Sequence, residues 1–144
     1  MLLPSGKVVY VSTPIYANSH FSWGEVTCNC TRHIENLILN KKLVISAIAI
    51  EKNIVKTAIA LDEIRANLSN RPIKVNSWYR PALVNRAVGG KEDSRHQFGD
   101  AVDICSDYYL PSKIYTFLSM THNGGLGLYP SFLHVDWRGY KARW

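Results

Sequence analysis

No stretch of this 144-residue chain is apolar for long enough to span a bilayer, and the longest apolar run, Leu43 to Ile50, is already broken by Ser46. The opening, MLLPSGKVVYVSTP, lacks a basic leader followed by a continuous apolar stretch, so no signal peptide is expected. Cysteine is scarce. Cys28, Cys30 and Cys105 cannot all pair within one chain, and the Cys-x-Cys spacing fits no common zinc or redox motif, so all three are expected to be reduced and structural. Internal repeats, low-complexity segments and dense basic blocks are also missing. Residues such as Lys41, Lys42, Arg71, Arg86, Arg95 and Lys141 are scattered, which argues against a nucleic-acid arm. Acidic residues are outnumbered 11 to 17 by basic ones, giving a net charge of +6 and favouring an anionic partner: nucleic acid, a membrane surface or a bacterial cell wall.

What is present suits one globular domain. A hydrophobic content of 47% is enough for a packed core at this length. Residues 1–19, with the apolar VVYVS and then Pro14, predict a short strand or extended arm ahead of a domain at 20–144. Ser22 and Glu25 have capping-box spacing, so a short helix starts at Ser22. From Glu35 to Leu68 there is neither Pro nor Gly, and Ile48, Val55, Ile59, Leu61, Ile64 and Leu68 recur at mostly three- and four-residue steps. This predicts one long helix, or two joined near Asn40. Ile73, Val75 and Ser77 alternate as in a half-buried strand, and Val84 to Gly90 reads as a turn or short helix. AVDICS is a second strand, PSKIYTFLSM a helix with Pro111 near its first position, GGLGLYP a glycine-rich loop, and FLHVDW a further strand. The pattern is α+β: a small sheet packed against helices.

The chemistry concentrates in SRHQFGDAVD and LHVDWR. His96, Asp103 and His134 are the number and type of ligands with which a catalytic zinc site leaves its fourth position to water. Along a pure strand His96 and Asp103 would lie on opposite faces and far apart, so a loop must bring them together, and Gly99 permits it. Ser94 and Gln97 are placed to support the ligands through hydrogen bonds. Asp136 shares a strand face with His134. It is expected to act as general base toward the attacking water or, in the plainer alternative, to orient the histidine. Arg80 is expected to bind a substrate carboxylate or stabilise an oxyanion, with a structural ion pair as the alternative. His20, His33 and His122 fall in no such pattern.

The segment Ser94-x-His96-x-x-Gly99-x-Ala101-x-Asp103 is similar to the SxHxxGxAxD motif of the D-Ala-D-Ala carboxypeptidase family of zinc peptidases, which includes phage endolysins that cut the peptide stems of peptidoglycan. Ser77, Tyr79, Arg80 and Asn85 resemble the family's SGYR-x-x-x-x-N segment, with Trp78 where glycine is frequent. GGLGLYPSFLHVDWRG resembles the terminal block of a branch of small single-domain members, and HFSWGEVT the opening of that branch. The likeness covers roughly residues 20–144, most sharply 77–138. It implies a hedgehog-like and D-Ala-D-Ala-peptidase-like fold, one Zn2+ ion on His96, Asp103 and His134, and Ser94, Tyr79 and Asn85 contacting substrate or supporting the ligands. It also implies peptidoglycan as the partner. The family's acidic base often stands three residues before the last histidine, where this chain has Ser131, so either Asp136 takes that role or activity is altered. The expected function is hydrolysis of murein stem peptides, with a zinc-stabilised structural or wall-binding module of a phage tail or secretion apparatus as the alternative. A monomer is expected, phage-associated or held in the cytoplasm until lysis, without nucleic acid as a partner.

Overall fold

A computed structural model describes residues 1–144. Its longest element is helix α2, Ala47–Asn67, preceded by α1, Trp23–Val26, and by a hairpin of β1, Leu37–Leu39, and β2, Lys42–Ile45. Ser22 and Glu25 form the full capping box at α1. At α2 the hydroxyl of Ser46 accepts from the Ala49 amide. The hairpin stands where the first part of one long helix, or the first of two joined near Asn40, was expected. Its two-residue turn uses Asn40 and Lys41, both at positive φ, so that the flanking strands pair in their natural twist, and the β-branched Ile38, Val44 and Ile45 suit those strands. The buried stripe of α2 is Ile50, Ile54, Ala58, Leu61 and Ile64, continuing to Leu68. Ile48 and Ile59, expected on the core face, lie on the outer one.

The first 19 residues belong to the same core. Leu3, Val9 and Ile15 are buried in one cluster with Ile50, Ile54 and the sheet residues, and only isolated bridges, Leu2 to Val8 and Pro14 to Ser22, replace the expected strand. Two carboxylates of α2 tie this segment down. Glu51 accepts from the amide and hydroxyl of Ser5, and Asp62 accepts from the Tyr16 hydroxyl, the Ser19 hydroxyl and the His20 amide.

After α2 come β3, Lys74–Ser77; α3, Ala82–Ala87; a 3-10 turn at Arg95–Phe98; β4, Ala101–Cys105; α4, Pro111–Ser119; β5, Gly125–Leu128; β6, Leu133–Asp136; and β7, Ala142–Arg143. Five of the strands form one sheet in the order β3-β4-β6-β5-β7, antiparallel except for the β5–β7 pair. Period-two alternation divides it cleanly. Val102, Val135 and Leu126 lie in one cross-strand row and Ile104 and Leu133 in another, all buried in the core, while α4 packs on β5 and β6. The opposite face carries the rows Ser77–Asp103–His134–Gly127 and Ala101–Asp136–Gly125.

GGLGL is therefore a strand and not the expected loop, and its glycines have a steric reason. A Cβ on Gly125 would land in the carboxylate of Asp136, and one on Gly127 would stand 2.5 Å from the indole nitrogen of Trp144. Side chains from neighbouring strands occupy the space above β5, so β5 can present none of its own.

Asp62 supplies a test of how the N-terminal segment is held. Burial alone would raise its carboxyl, but the donors from Tyr16, Ser19 and His20 outweigh burial and leave it below its ordinary value. A depressed folded value stabilises the fold above the unfolded value of about 3.9 and is lost as pH falls through the folded one. Asp62→Ala is expected to cost about 1–3 kcal/mol in urea unfolding at pH 7. The gap from wild type should narrow progressively as pH is lowered below about 3.9; a gap of constant size across that range would show that the charge is not what holds the segment.

Candidate metal centre

His96 sits in the 3-10 turn that ends at Gly99, whose φ of 77° closes the turn in a conformation suited to glycine. The turn is seated on α2: a Cβ on Gly99 would press on Ile54 and on the Ile50 carbonyl, and Asn53 donates to the Phe98 carbonyl at 3.0 Å. The end of β3 clamps the same turn from the other side. His96 Nδ1–H donates to the Trp78 carbonyl at 2.7 Å, the Arg80 amide donates to the His96 carbonyl at 3.1 Å, and the Trp78 indole donates to the Gly99 carbonyl at 3.0 Å. The proton on Nδ1 leaves Nε2 as a lone pair. That atom is buried and has no hydrogen-bond partner, a state that costs free energy unless something binds there.

Asp103 and His134 are direct cross-strand partners on the site face. Asp103 Oδ1 stands 3.3 Å from His96 Nε2 and 2.9 Å from His134 Nδ1, and the three ligand atoms lie within 4.8 Å of one another. Ligand atoms around a tetrahedral zinc at ~2.0–2.1 Å stand roughly 3.3 Å apart, so two imidazole nitrogens and a carboxylate oxygen fit this ion in number, chemistry and spacing. Burial would raise the Asp103 carboxyl, but the two histidines that face it outweigh burial and hold the group far below the usual carboxylate range, ready to ligate.

Asp136 lies on the far side of His134 from this convergence. Its Oδ2 accepts from His134 Nε2 at 2.8 Å and from Arg138 Nη2 at 2.6 Å. Its Oδ1 accepts from Arg138 Nε, the Gly125 amide and the Arg138 amide. The residue is 0% exposed and does not line the cleft. This geometry does not favour the expected general base. The acceptor positions of Asp136 are taken and it does not line the cleft, an arrangement that suits the plainer alternative of orienting the His134 ring so that Nδ1 faces Asp103. Burial opposes its ionisation, but Arg138 and His134 prevail and keep it charged.

The convergence opens into a cleft of about 680 Å³. Arg80 lines it, with Nη2 3.9 Å from Asp103 Oδ2 and a buried Nε that has no partner. Burial lowers the guanidinium's affinity for its proton and Asp103 partly restores it. Ser94 also lines the cleft. Asn85 and Tyr79 do not. Asn85 is buried and donates to the Lys91 carbonyl at 2.8 Å, holding the Gly89–Lys91 turn. Tyr79 is 1% exposed, its hydroxyl pushed up to about 12 chiefly by burial and accepting from the Glu35 amide, so its side chain lies in the core beside Arg80 and not in the cleft. Gln97 donates to the Glu92 carbonyl. Ser131 lies on an exposed turn outside the cleft.

Sequence reasoning passed over several cleft residues: Lys91, Asp93, Tyr129, Phe132, Arg138, Tyr140 and Trp144. The alternation His134-x-Asp136-x-Arg138 could have flagged Arg138, which follows the end of β6 and reaches back to Asp136. Nothing in the sequence marks Trp144, which reaches the site through β7.

Two imidazoles and a carboxylate at the floor of a cationic cleft, on a small antiparallel sheet backed by helices, define the metal-dependent hydrolase type of site. Residues 19–136 match the peptidase M15 family, and the chain belongs to that family. It is also similar to the zinc D-Ala-D-Ala carboxypeptidase of Streptomyces albus G, with 35% identity over 60 residues. That match covers 42% of this chain and 24% of the relative, so the likeness spans about a quarter of the relative's length.

The role of Asp136 can be measured by zinc titration against a competing chelator. Asp136→Asn is expected to weaken binding about 10- to 100-fold, and His96→Ala to abolish it. Wild-type affinity in Asp136→Asn would mean that His134 needs no such orientation.

Proposed function

We propose that this chain is a zinc peptidase acting on the stem peptides of bacterial peptidoglycan, in cell-wall lysis or remodelling. The observation that carries the reading is the buried, unpartnered Nε2 of His96, which converges with Asp103 and His134 beside a half-buried guanidinium in an open cleft. Membership of the M15 family and likeness to a protein named for D-Ala-D-Ala carboxypeptidase activity support it. His96, Asp103 and His134 would hold the ion. Bound there, zinc would supply Lewis acidity, polarising the scissile carbonyl and lowering the pKa of water.

The remaining work falls to the chain's own side chains. Arg80, with no hydrogen-bond partner at Nε, presents its charge to a substrate carboxylate and fixes the scissile bond relative to Asp103. Asp93 and Asp103 are the cleft's carboxylates. With Asp103 assigned as a ligand, Asp93 is the acid available to take a proton and return it to the leaving amine. The net charge of +6 draws the protein toward the anionic wall.

Mass spectrometry of peptidoglycan fragments incubated with zinc-loaded and chelator-stripped protein tests this directly. A zinc-dependent product is expected, and its mass names the bond; no product from several murein chemistries would replace the peptidase with a metal-stabilised binding module. Arg80→Ala should raise KM for carboxylate-ended peptides by about 10- to 100-fold. Asp93→Asn should lower kcat about 100-fold or more, while Asp136→Asn at saturating zinc should lower it far less. An unchanged kcat in Asp93→Asn would exclude it as the base.

A further inference from the structure

Tyr129, Phe132, Tyr140 and Trp144 all line the cleft, yet none belongs to the hydrophobic core or packs against it. They are also not loose. The rings of Tyr129 and Phe132 stack with centroids 4.5 Å apart and 9° between planes, and the Trp144 indole donates to the Tyr129 hydroxyl at 3.0 Å. Arg138, pinned by Asp136, lies over the rings of both Trp144 and Tyr140 at 5.1 and 5.7 Å. Trp144 rests over Gly127, where a side chain would displace it, and its ring stands 5.3 Å from that of His134. The result is one contiguous aromatic surface running up to a metal-ligand candidate. Tyr129, Tyr140 and Trp144 remain 38%, 63% and 48% exposed.

Rigid, exposed aromatic faces in a polar cleft cost free energy unless a ligand covers them. Murein stem peptides are built from alanine, glutamate and a diamino acid, none of which offers a broad apolar face. The sugar to which the stem is attached does: one face of a pyranose presents C–H groups, and its rim presents hydroxyls and amides. Polar side chains able to meet such a rim, Tyr140, Lys91 and Ser94, line the same cleft.

We propose that Tyr129, Phe132 and Trp144 form a saccharide subsite that stacks on a pyranose ring of the glycan strand, so that the cleft reads the sugar as well as the stem. The choice of sugar rests on the peptidoglycan reading above. The probe is the peptide-free murein disaccharide, titrated calorimetrically into the zinc-loaded full chain. Wild type should bind it saturably, Trp144→Ala about tenfold or more weakly, and Trp144→Phe, which keeps an aromatic face, with a smaller loss. In hydrolysis, the disaccharide-linked stem peptide should show a KM about tenfold below that of the free stem peptide, a difference that Trp144→Ala erases. If Trp144→Ala does not fold, as judged by near-UV circular dichroism, Tyr129→Leu carries the same expectation.

Absence of saturable disaccharide binding by wild type, or equal KM for the two substrates, overturns the subsite. Equal KM together with tighter binding of stems bearing longer diamino-acid side chains would reassign the surface to that side chain. The two readings fail separately. Saccharide binding without any peptide cleavage leaves the subsite standing and removes the peptidase; cleavage without saccharide binding does the reverse.

Discussion

The cleft depends on two imidazole rings being prevented from turning. A free histidine has two nitrogens and rotates about its side-chain bonds, so a lone pair aimed at a chosen point is an ordering problem before it is a chemical one. Here each ring is fastened by the nitrogen not offered to the site: His96 through Nδ1 to the Trp78 carbonyl, His134 through Nε2 to the Asp136 carboxylate. The two use opposite tautomers, and the difference follows from their positions. The ring in the turn meets a strand-end carbonyl, whereas the ring on the strand meets a carboxylate two residues along the same face.

These two fastenings explain architecture that would otherwise read as decoration. Trp78 can present its carbonyl only because β3 ends there and its indole is itself anchored on Gly99. The turn bearing His96 keeps its place because α2 lies against it, and α2 in turn holds the first 19 residues through Glu51 and Asp62. On the other side, Asp136 stays ionised in the interior because Arg138 grips both its oxygens. That grip places the guanidinium beneath the aromatic rings at the cleft's edge. Core, ligands and rim form one mechanical chain.

The parts of this arrangement legible in the sequence were those set by local rules. Capping at Ser22, the alternation of Val75 and Ser77 in a strand, proline at the start of α4 and the glycine after His96 each depend on a residue and its near neighbours. The convergence of His96, Asp103 and His134 was legible because these residue types are uncommon together. The errors share a different cause. The hairpin at Leu37–Ile45 has apolar residues at spacings a helix would also accept, and only the left-handed Asn40–Lys41 pair separates the two. GGLGL resembles a loop because its reason for lacking side chains lies on other strands, in Asp136 and Trp144. The face of Asp136 was readable from strand periodicity, but which oxygen meets which donor was not. That distinction separates a proton acceptor from a support.

The bare strand β5 has a consequence for how variation in this protein should be interpreted. Gly125 and Gly127 put no side chain toward the cleft, although the Gly125 amide does donate to Asp136. What the missing side chains contribute is vacancy: one leaves room for a carboxylate, the other for an indole. In any survey of tolerated substitutions the two positions will therefore rank with the ligands themselves, and a map of indispensable residues will outline the volume the site must keep empty as clearly as the atoms that act within it.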